Sequence, residues 1–185
     1  MNVIKTYFES VILFNNRKYE DNRGNFTEIF NLESFNQKVN GAIEIKQLNR
    51  SISKRNILRG LHIQLKNTQG KYVFCNKGSI QDSFVDLRPN SKYYGMSDSI
   101  NLSEEDDYYL WIPVGFAHGF YTKSEVNEVF YLTSDFYNPI QEISILWNDS
   151  DININWECVE PNLSEKDRNG IKFQVFNNKY KEFIF

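Results

Sequence analysis

The chain has 185 residues, a formal net charge of -3 and a sequence pI near 5.5. That length fits one domain with a sizeable core, and the absence of a basic excess argues against a nucleic-acid binder that lives on phosphate contacts. No apolar run is long enough to cross a bilayer, Met1 opens no secretory signal, and Cys75 and Cys158 form no motif, so a reduced, cytoplasmic setting without a membrane is expected.

Fifteen Phe, eleven Tyr and three Trp suit a β-rich globule. Residues 1–20, with the apolar run Val11-Ile12-Leu13-Phe14, read as an arm or edge strand. Asp21-Asn22-Arg23-Gly24-Asn25 is a turn, since Asp and Asn bond their own backbone and Gly permits positive φ. Phe26–Phe30 then reads as a strand and Leu32–Val39 as a short helix. Strand-like runs recur at 43–49, 57–65, 71–75, 79–87, 97–102, 108–113, 116–122, 127–133 and 143–147. Turns such as Asn76-Lys77-Gly78 and Arg88-Pro89-Asn90 separate them, which points to a sandwich or barrel. Leu163-Ser164-Glu165-Lys166-Asp167 opens a helix, with Ser164 as N-cap and Asp167 three residues on. There is no repeat or linker, so residues 1–185 are expected as one domain: an arm over 1–20, a barrel over about 21–156 and a helical tail over 157–185.

The chemistry centres on Arg59-Gly60-Leu61-His62-Ile63-Gln64, where Leu61, Ile63 and Leu65 alternate with His62 and Gln64. Alternation marks a strand with two unlike faces. In a barrel that holds a ligand, the polar face lines the cavity and the apolar face packs outward on a second sheet or a subunit. A lone histidine on a strand is more often a satisfied structural group, and His118 shares that reading. Lys71 enters the apolar strand Tyr72-Val73-Phe74-Cys75, so its ammonium needs a partner or a polar cavity. Tyr131 stands in the apolar run Val129-Phe130-Tyr131-Leu132, where a core tyrosine is the plain alternative. Asp167, by spacing alone, favours the helix cap.

Gly60 through Gly78, and Pro113-Val114-Gly115-Phe116-Ala117-His118, look like the paired half-motifs of a cupin barrel. Gln64 stands where a metal-binding cupin has its second His, and a chain with two histidines cannot build a His-rich metal site. Organic acid–base work without a cofactor is therefore expected.

As a set, these stretches resemble the dTDP-4-dehydrorhamnose 3,5-epimerase family. The resemblance rests on Asp21-Asn22-Arg23-Gly24 with Phe26 and Glu28, on Gln47 with Asn49, on Leu58 to His62 and on Gln69-Gly70-Lys71. It continues through Val85 to Arg88, Leu110 to Phe120, Tyr131 with Asp135-Phe136-Tyr137, Leu146 to Asp149 and Leu163 to Asp167. It implies an all-β, metal-free cupin-type double-stranded β-helix (a jelly-roll barrel) with short helices. It also implies an isomerase that inverts C3 and/or C5 of a nucleotide-linked 4-keto-6-deoxy sugar for surface polysaccharide, the substrate being dTDP-4-keto-6-deoxyglucose or a GDP-4-keto-6-deoxyheptose. A 3,4-ketoisomerase and a non-catalytic sugar-nucleotide binder are the alternatives. On the resemblance, His62 is the general base oriented by Asp167, Lys71 stabilises the enolate and Tyr131 is the general acid. Arg23, Gln47, Asn49, Arg59 and His118 hold diphosphate and sugar, Phe26 and Glu28 belong to the substrate-binding set, and Tyr19 and Tyr137 stack on the nucleobase, Tyr19 reaching into the partner subunit. A homodimer is implied, its N-terminal arms exchanged. The chain departs from the usual family pattern at Ile63, Leu132 and Tyr19, which leaves the catalytic set intact and the substrate open.

Overall fold

The computed structural model describes residues 1–39 and 41–183. Numbered in chain order, six strands make one antiparallel sheet. Their spatial order is β1 (Asn2–Tyr7), β2 (Val11–Asn15), β10 (Tyr108–Ile112), β7 (Lys71–Lys77), β12 (Val126–Thr133) and β5 (Gln47–Lys54). The second sheet runs β13 (Glu142–Ser144), β6 (Leu58–Gln64), β11 (Phe116–Thr122), β8 (Ser79–Asp86) and β9 (Ser97–Ser103). β3 (Lys18–Asp21) and β4 (Gly24–Thr27) form a separate hairpin. Short helices α1 (Leu32–Val39), α2 (Glu165–Arg168) and α3 (Phe173–Lys179) and a 3-10 turn (Lys181–Phe183) complete the chain. The two sheets face each other as the expected jelly-roll barrel. No helix among the described residues is long and apolar enough to cross a membrane.

Three apolar layers follow from the period-two pattern. Between the sheets, Leu13, Val73, Leu110 and Val129 meet Ile80, Phe84, Phe116 and Phe120. Outside the first sheet, Phe14, Tyr72 and Trp111 pack on Phe35 of α1. Outside the second, Leu58, Leu61, Ile63 and Leu65 pack on Ile152, Trp156, Phe173 and Phe176. The apolar face of β6 is thus covered by the chain's own tail, where a sheet or a subunit was expected. Ile184 and Phe185, the last residues of the predicted tail, lie outside the described residues.

Three sequence expectations shift. Residues 1–15 take the edge-strand alternative and not the arm: β1 stands at the edge of the first sheet, Val11 and Phe14 are fully buried and β2 pairs with β10. The projecting element is the β3–β4 hairpin. The strand expected over Phe26–Phe30 begins earlier and closes that hairpin as β4. The strand expected over 43–49 is β5, at Gln47–Lys54. Its pattern is inverted: Gln47, Asn49 and Ser51 face the cavity while Leu48 and Ile52 are exposed on the open edge.

One end of the barrel is plugged. Phe8, in the turn between β1 and β2, sets its ring 5.9 Å from that of Phe84 and 6.4 Å from that of Phe116. The opposite end is hollow.

Candidate active site

The hollow end holds a cavity of about 710 Å³. Directly opposed residues of an antiparallel pair share a face. His62 on β6 lies opposite His118 on β11, so the second sheet presents both imidazoles to the cavity. Tyr131 on β12 lies between Asn49 and Val73, and Lys71 lies opposite Thr133, so the first sheet presents the phenol, the ammonium and the amides of Gln47 and Asn49. The imidazole of His62 and the hydroxyl of Tyr131 therefore come from facing walls of one cavity. A β-bulge sets the His62 wall: His118 and Phe120 pair with His62 and Arg59, so Gly119 alone stands opposite both Gly60 and Leu61. Glycine is needed there, because a Cβ on Gly60 (φ +126°) would stand 2.5 Å from Gly119 Cα.

His62 Nε2 donates to Asp167 Oδ1 at 2.5 Å, which leaves Nδ1 as the nitrogen that can accept a proton. Asp167 Oδ2 accepts from Ser164 Oγ at 2.8 Å, and Ser164 Oγ accepts from the Asp167 N–H at 3.1 Å. The capping turn of α2 thus aims the carboxylate at the imidazole, so the cap and the histidine contact are one arrangement. Burial works against the charge on Asp167, but the bonds from His62 and Ser164 outweigh it and hold the carboxyl below its usual range.

The lysine and the phenol are tuned by enclosure. Burial pulls Lys71 down to about 8, against the opposing pull of Glu142 and Asp82. Burial pushes Tyr131 up, only partly offset by Arg59, so the phenol keeps its proton at neutral pH. His118 is buried with Nε2 at 3.0 and 2.9 Å from the two oxygens of Asp82; burial lowers its pKa while Asp82 opposes. Gln47 Nε2 donates to Asn49 Oδ1 at 2.6 Å, and Arg59 Nε donates to Ser53 Oγ at 3.1 Å.

Nine predicted residues line this one cavity: His62, Lys71, Tyr131 and Asp167, then Gln47, Asn49, Arg59, His118 and Tyr137. Four do not. Tyr19, Arg23 and Phe26 lie on the β3–β4 hairpin around a separate shallow pocket, and Glu28 follows β4 and faces Asn31. Tyr19 is 52% and Phe26 68% exposed, and Arg23 pairs with Asp21 at 2.5 Å. Lys18 ties the hairpin's base to Asp107 at 2.7 Å.

Three residues were not anticipated: Glu142, Lys166 and Asp82. Glu142 on β13 lies opposite Gln64 and sets Oε1 3.7 Å from His62 Nδ1. Its Oε2 accepts from the Tyr137 hydroxyl at 2.8 Å and from Lys166. Burial opposes the charge on Glu142, yet Lys166, His62 and Tyr137 together hold it low. Asp82 is the third; an acid inside the strand Gln81-Asp82-Ser83-Phe84-Val85 was a legible sign of a buried partner. Together the cavity offers a carboxylate-held imidazole, a protonated phenol facing it and an ammonium. Such a set can take a proton from carbon on one face, give one on the other and steady an oxyanion between.

Comparison with known proteins gives consistent matches. A protein-family profile described as dTDP-4-dehydrorhamnose 3,5-epimerase matches residues 5–174. The dTDP-4-dehydrorhamnose 3,5-epimerase of Shigella flexneri is 46% identical over 174 residues, which cover 94% of this chain and 96% of that protein. The crystal structure of dTDP-4-dehydrorhamnose 3,5-epimerase from Elizabethkingia anophelis superposes with a TM-score of 0.91 at 38% identity, covering 96% and 98% of the two chains. That of dTDP-6-deoxy-D-glucose-3,5-epimerase from Legionella pneumophila in complex with dTDP-4-keto-L-rhamnose gives 0.93 at 34%, covering 96% and 95%.

Proposed function

The chain belongs to the dTDP-4-dehydrorhamnose 3,5-epimerase family and is an isomerase acting on a nucleotide sugar, and from that premise we propose that it inverts C3 and C5 of dTDP-4-keto-6-deoxyglucose. The observation that carries this reading is that His62, Lys71 and Tyr131 open into one cavity from facing walls. The C4 ketone acidifies the hydrogens on C3 and C5, because the carbanion delocalises onto the C4 oxygen. His62 Nδ1 takes the proton, and Asp167 holds the ring and stabilises the imidazolium. The Lys71 ammonium meets the enolate oxygen. The Tyr131 hydroxyl returns a proton to the same carbon from the opposite face; the phenolate is then reprotonated from solvent and the imidazolium gives its proton up to solvent, which resets both groups for the second centre. A positioned acid or base contributes ~10²–10⁴-fold, and a donor at the oxyanion ~10²–10³-fold.

Gln47, Asn49, Arg59 and His118 hold the sugar and diphosphate, and Tyr137 stacks on the base. The projecting hairpin with exposed Tyr19 and Phe26, and the open β5 edge with exposed Leu48 and Ile52, favour a homodimer in which each hairpin completes the other subunit's cavity. Arg23 and Glu28 then serve the neighbouring site.

The test is incubation in deuterated water with dTDP-4-keto-6-deoxyglucose and, separately, a GDP-linked 4-keto-6-deoxyheptose, read by NMR. Deuterium entering C3 and C5 of the dTDP-linked sugar with inversion is expected. Exchange with the GDP-linked sugar alone would reassign the substrate, carbonyl migration would make the enzyme a ketoisomerase, and binding without exchange would leave only a binding protein.

A further inference from the structure

Gln64 occupies the inward face of β6 two residues after His62, yet it does not line the cavity and is 5% exposed. Its amide is spent entirely on backbone. Nε2 donates to Asn67 O at 2.7 Å and to Phe136 O at 3.1 Å, and Oε1 accepts from Asn138 N at 2.8 Å. Phe136 and Asn138 are the two neighbours of Tyr137, so one side chain grips the loop on both sides of that residue. The Tyr137 N–H donates to Gln47 Oε1 at 3.1 Å and its hydroxyl to Glu142 Oε2 at 2.8 Å. Glu142 in turn is the cross-strand partner of Gln64. The ring of Tyr137 is half-exposed at the cavity, in a loop that ladder bonds do not hold.

We propose that Gln64 is a positioning residue for nucleotide recognition: it fixes the loop that carries Tyr137 to the strand that carries His62, and so sets the height and tilt of the ring on which the nucleobase stacks. This rests on the reading of Tyr137 as the base platform. A primary amide is required, because two carbonyls and one N–H must be met at once, and only Gln or Asn supplies two donors and an acceptor on one group. Gln64 acts on the nucleotide end of the substrate, and His62, Lys71 and Tyr131 act on the sugar. A loosened loop therefore weakens binding more than it slows proton transfer.

The test compares the intact enzyme with Gln64→Glu, Tyr137→Ala and the double variant. The readouts are kcat and KM for solvent exchange into the nucleotide sugar, and the Kd of dTDP alone. Glu keeps the acceptor and the shape but loses at least one donor. The expected result is a KM and a dTDP Kd raised roughly tenfold by Gln64→Glu, the scale of one base–aromatic stack, with kcat moved by less than about threefold. In the Tyr137→Ala background the same change should add almost nothing, since the two act through one ring. Should Gln64→Glu fail to fold, Asn138→Pro removes the Asn138 N–H from the exposed loop without touching the strand and should raise KM in the same selective way. Independent, multiplying effects, or a fall in kcat at unchanged KM, would overturn the inference. If Tyr137→Ala binds dTDP as tightly as the parent, the base-platform reading itself fails; if only the Tyr137 change weakens binding, the failure is confined to Gln64.

Discussion

Lys71 is the residue whose surroundings set the sharpest expectation. Held at about 8, it is charged below that pH and loses its proton above it. On the proposed mechanism, kcat/KM then falls as pH rises through about 8, while Tyr131, whose pKa is raised, stays protonated across that range. A pH–rate profile flat to pH 10 would contradict the assignment of Lys71 to the enolate oxygen. Stability runs the other way. The folded value lies below the ordinary 10.5, so between about 8 and 10.5 the unfolded chain binds more protons and this group's contribution to stability rises with pH. Lys71→Met should therefore be the more stable protein at pH 7, by a margin that narrows as pH rises through that window in denaturant titrations. Asp167 tests the imidazole from the other side. Asp167→Asn keeps the shape but removes the charge that steadies the imidazolium, and a loss of activity on the order of 10²-fold or more with an intact fold is expected.

At the scale of elements, the bulge between β6 and β11 places His62. Gly60→Ala would force a side chain into φ +126° and against the Gly119 backbone. A loss of about 2–3 kcal/mol, read as a lower denaturation midpoint, is expected. The same scale shows how far the sequence could be read. β6, β7, β8, β10, β11 and β12 were legible because each carries an apolar face into a core, as Leu61 and Ile63 do. β5 was misplaced because its polar residues Gln47, Asn49 and Ser51 line the cavity while its apolar residues Leu48 and Ile52 are left exposed, the reverse of the pattern that betrays a strand. Of the site, His62, Lys71, Tyr131 and Asp167 were found through the family resemblance, since singly each had a plain structural reading. Glu142 was hidden because Ile140-Gln141-Glu142-Ile143 looks like a surface run until β13 pairs with β6 and brings it beside His62. The hairpin residues Tyr19, Arg23 and Phe26 could not be placed by one chain's sequence, since the surface they serve on this account belongs to another subunit.

For the whole molecule, the proposed exchange of hairpins would make each cavity a product of two chains. Subunits carrying His62→Asn should be inactive, and subunits carrying Arg23→Ala with Phe26→Ala should be impaired. Unfolding and refolding a mixture of the two should restore activity towards about a quarter of the parent's, because half the dimers pair the two types and each has one complete site. No recovery would place the hairpin on its own subunit's cavity or on none. The central claim is that the imidazole of His62 and the phenol of Tyr131 serve opposite faces of one sugar ring, and it is tested most directly by NMR of dTDP-4-keto-6-deoxyglucose in deuterated water with Tyr131→Phe and His62→Asn. Tyr131→Phe should still exchange hydrogen at carbon with retained configuration, since the base remains and the acid on the far face is gone, whereas His62→Asn should exchange nothing. Inversion at the parent's rate by Tyr131→Phe, or exchange persisting in His62→Asn, would contradict it.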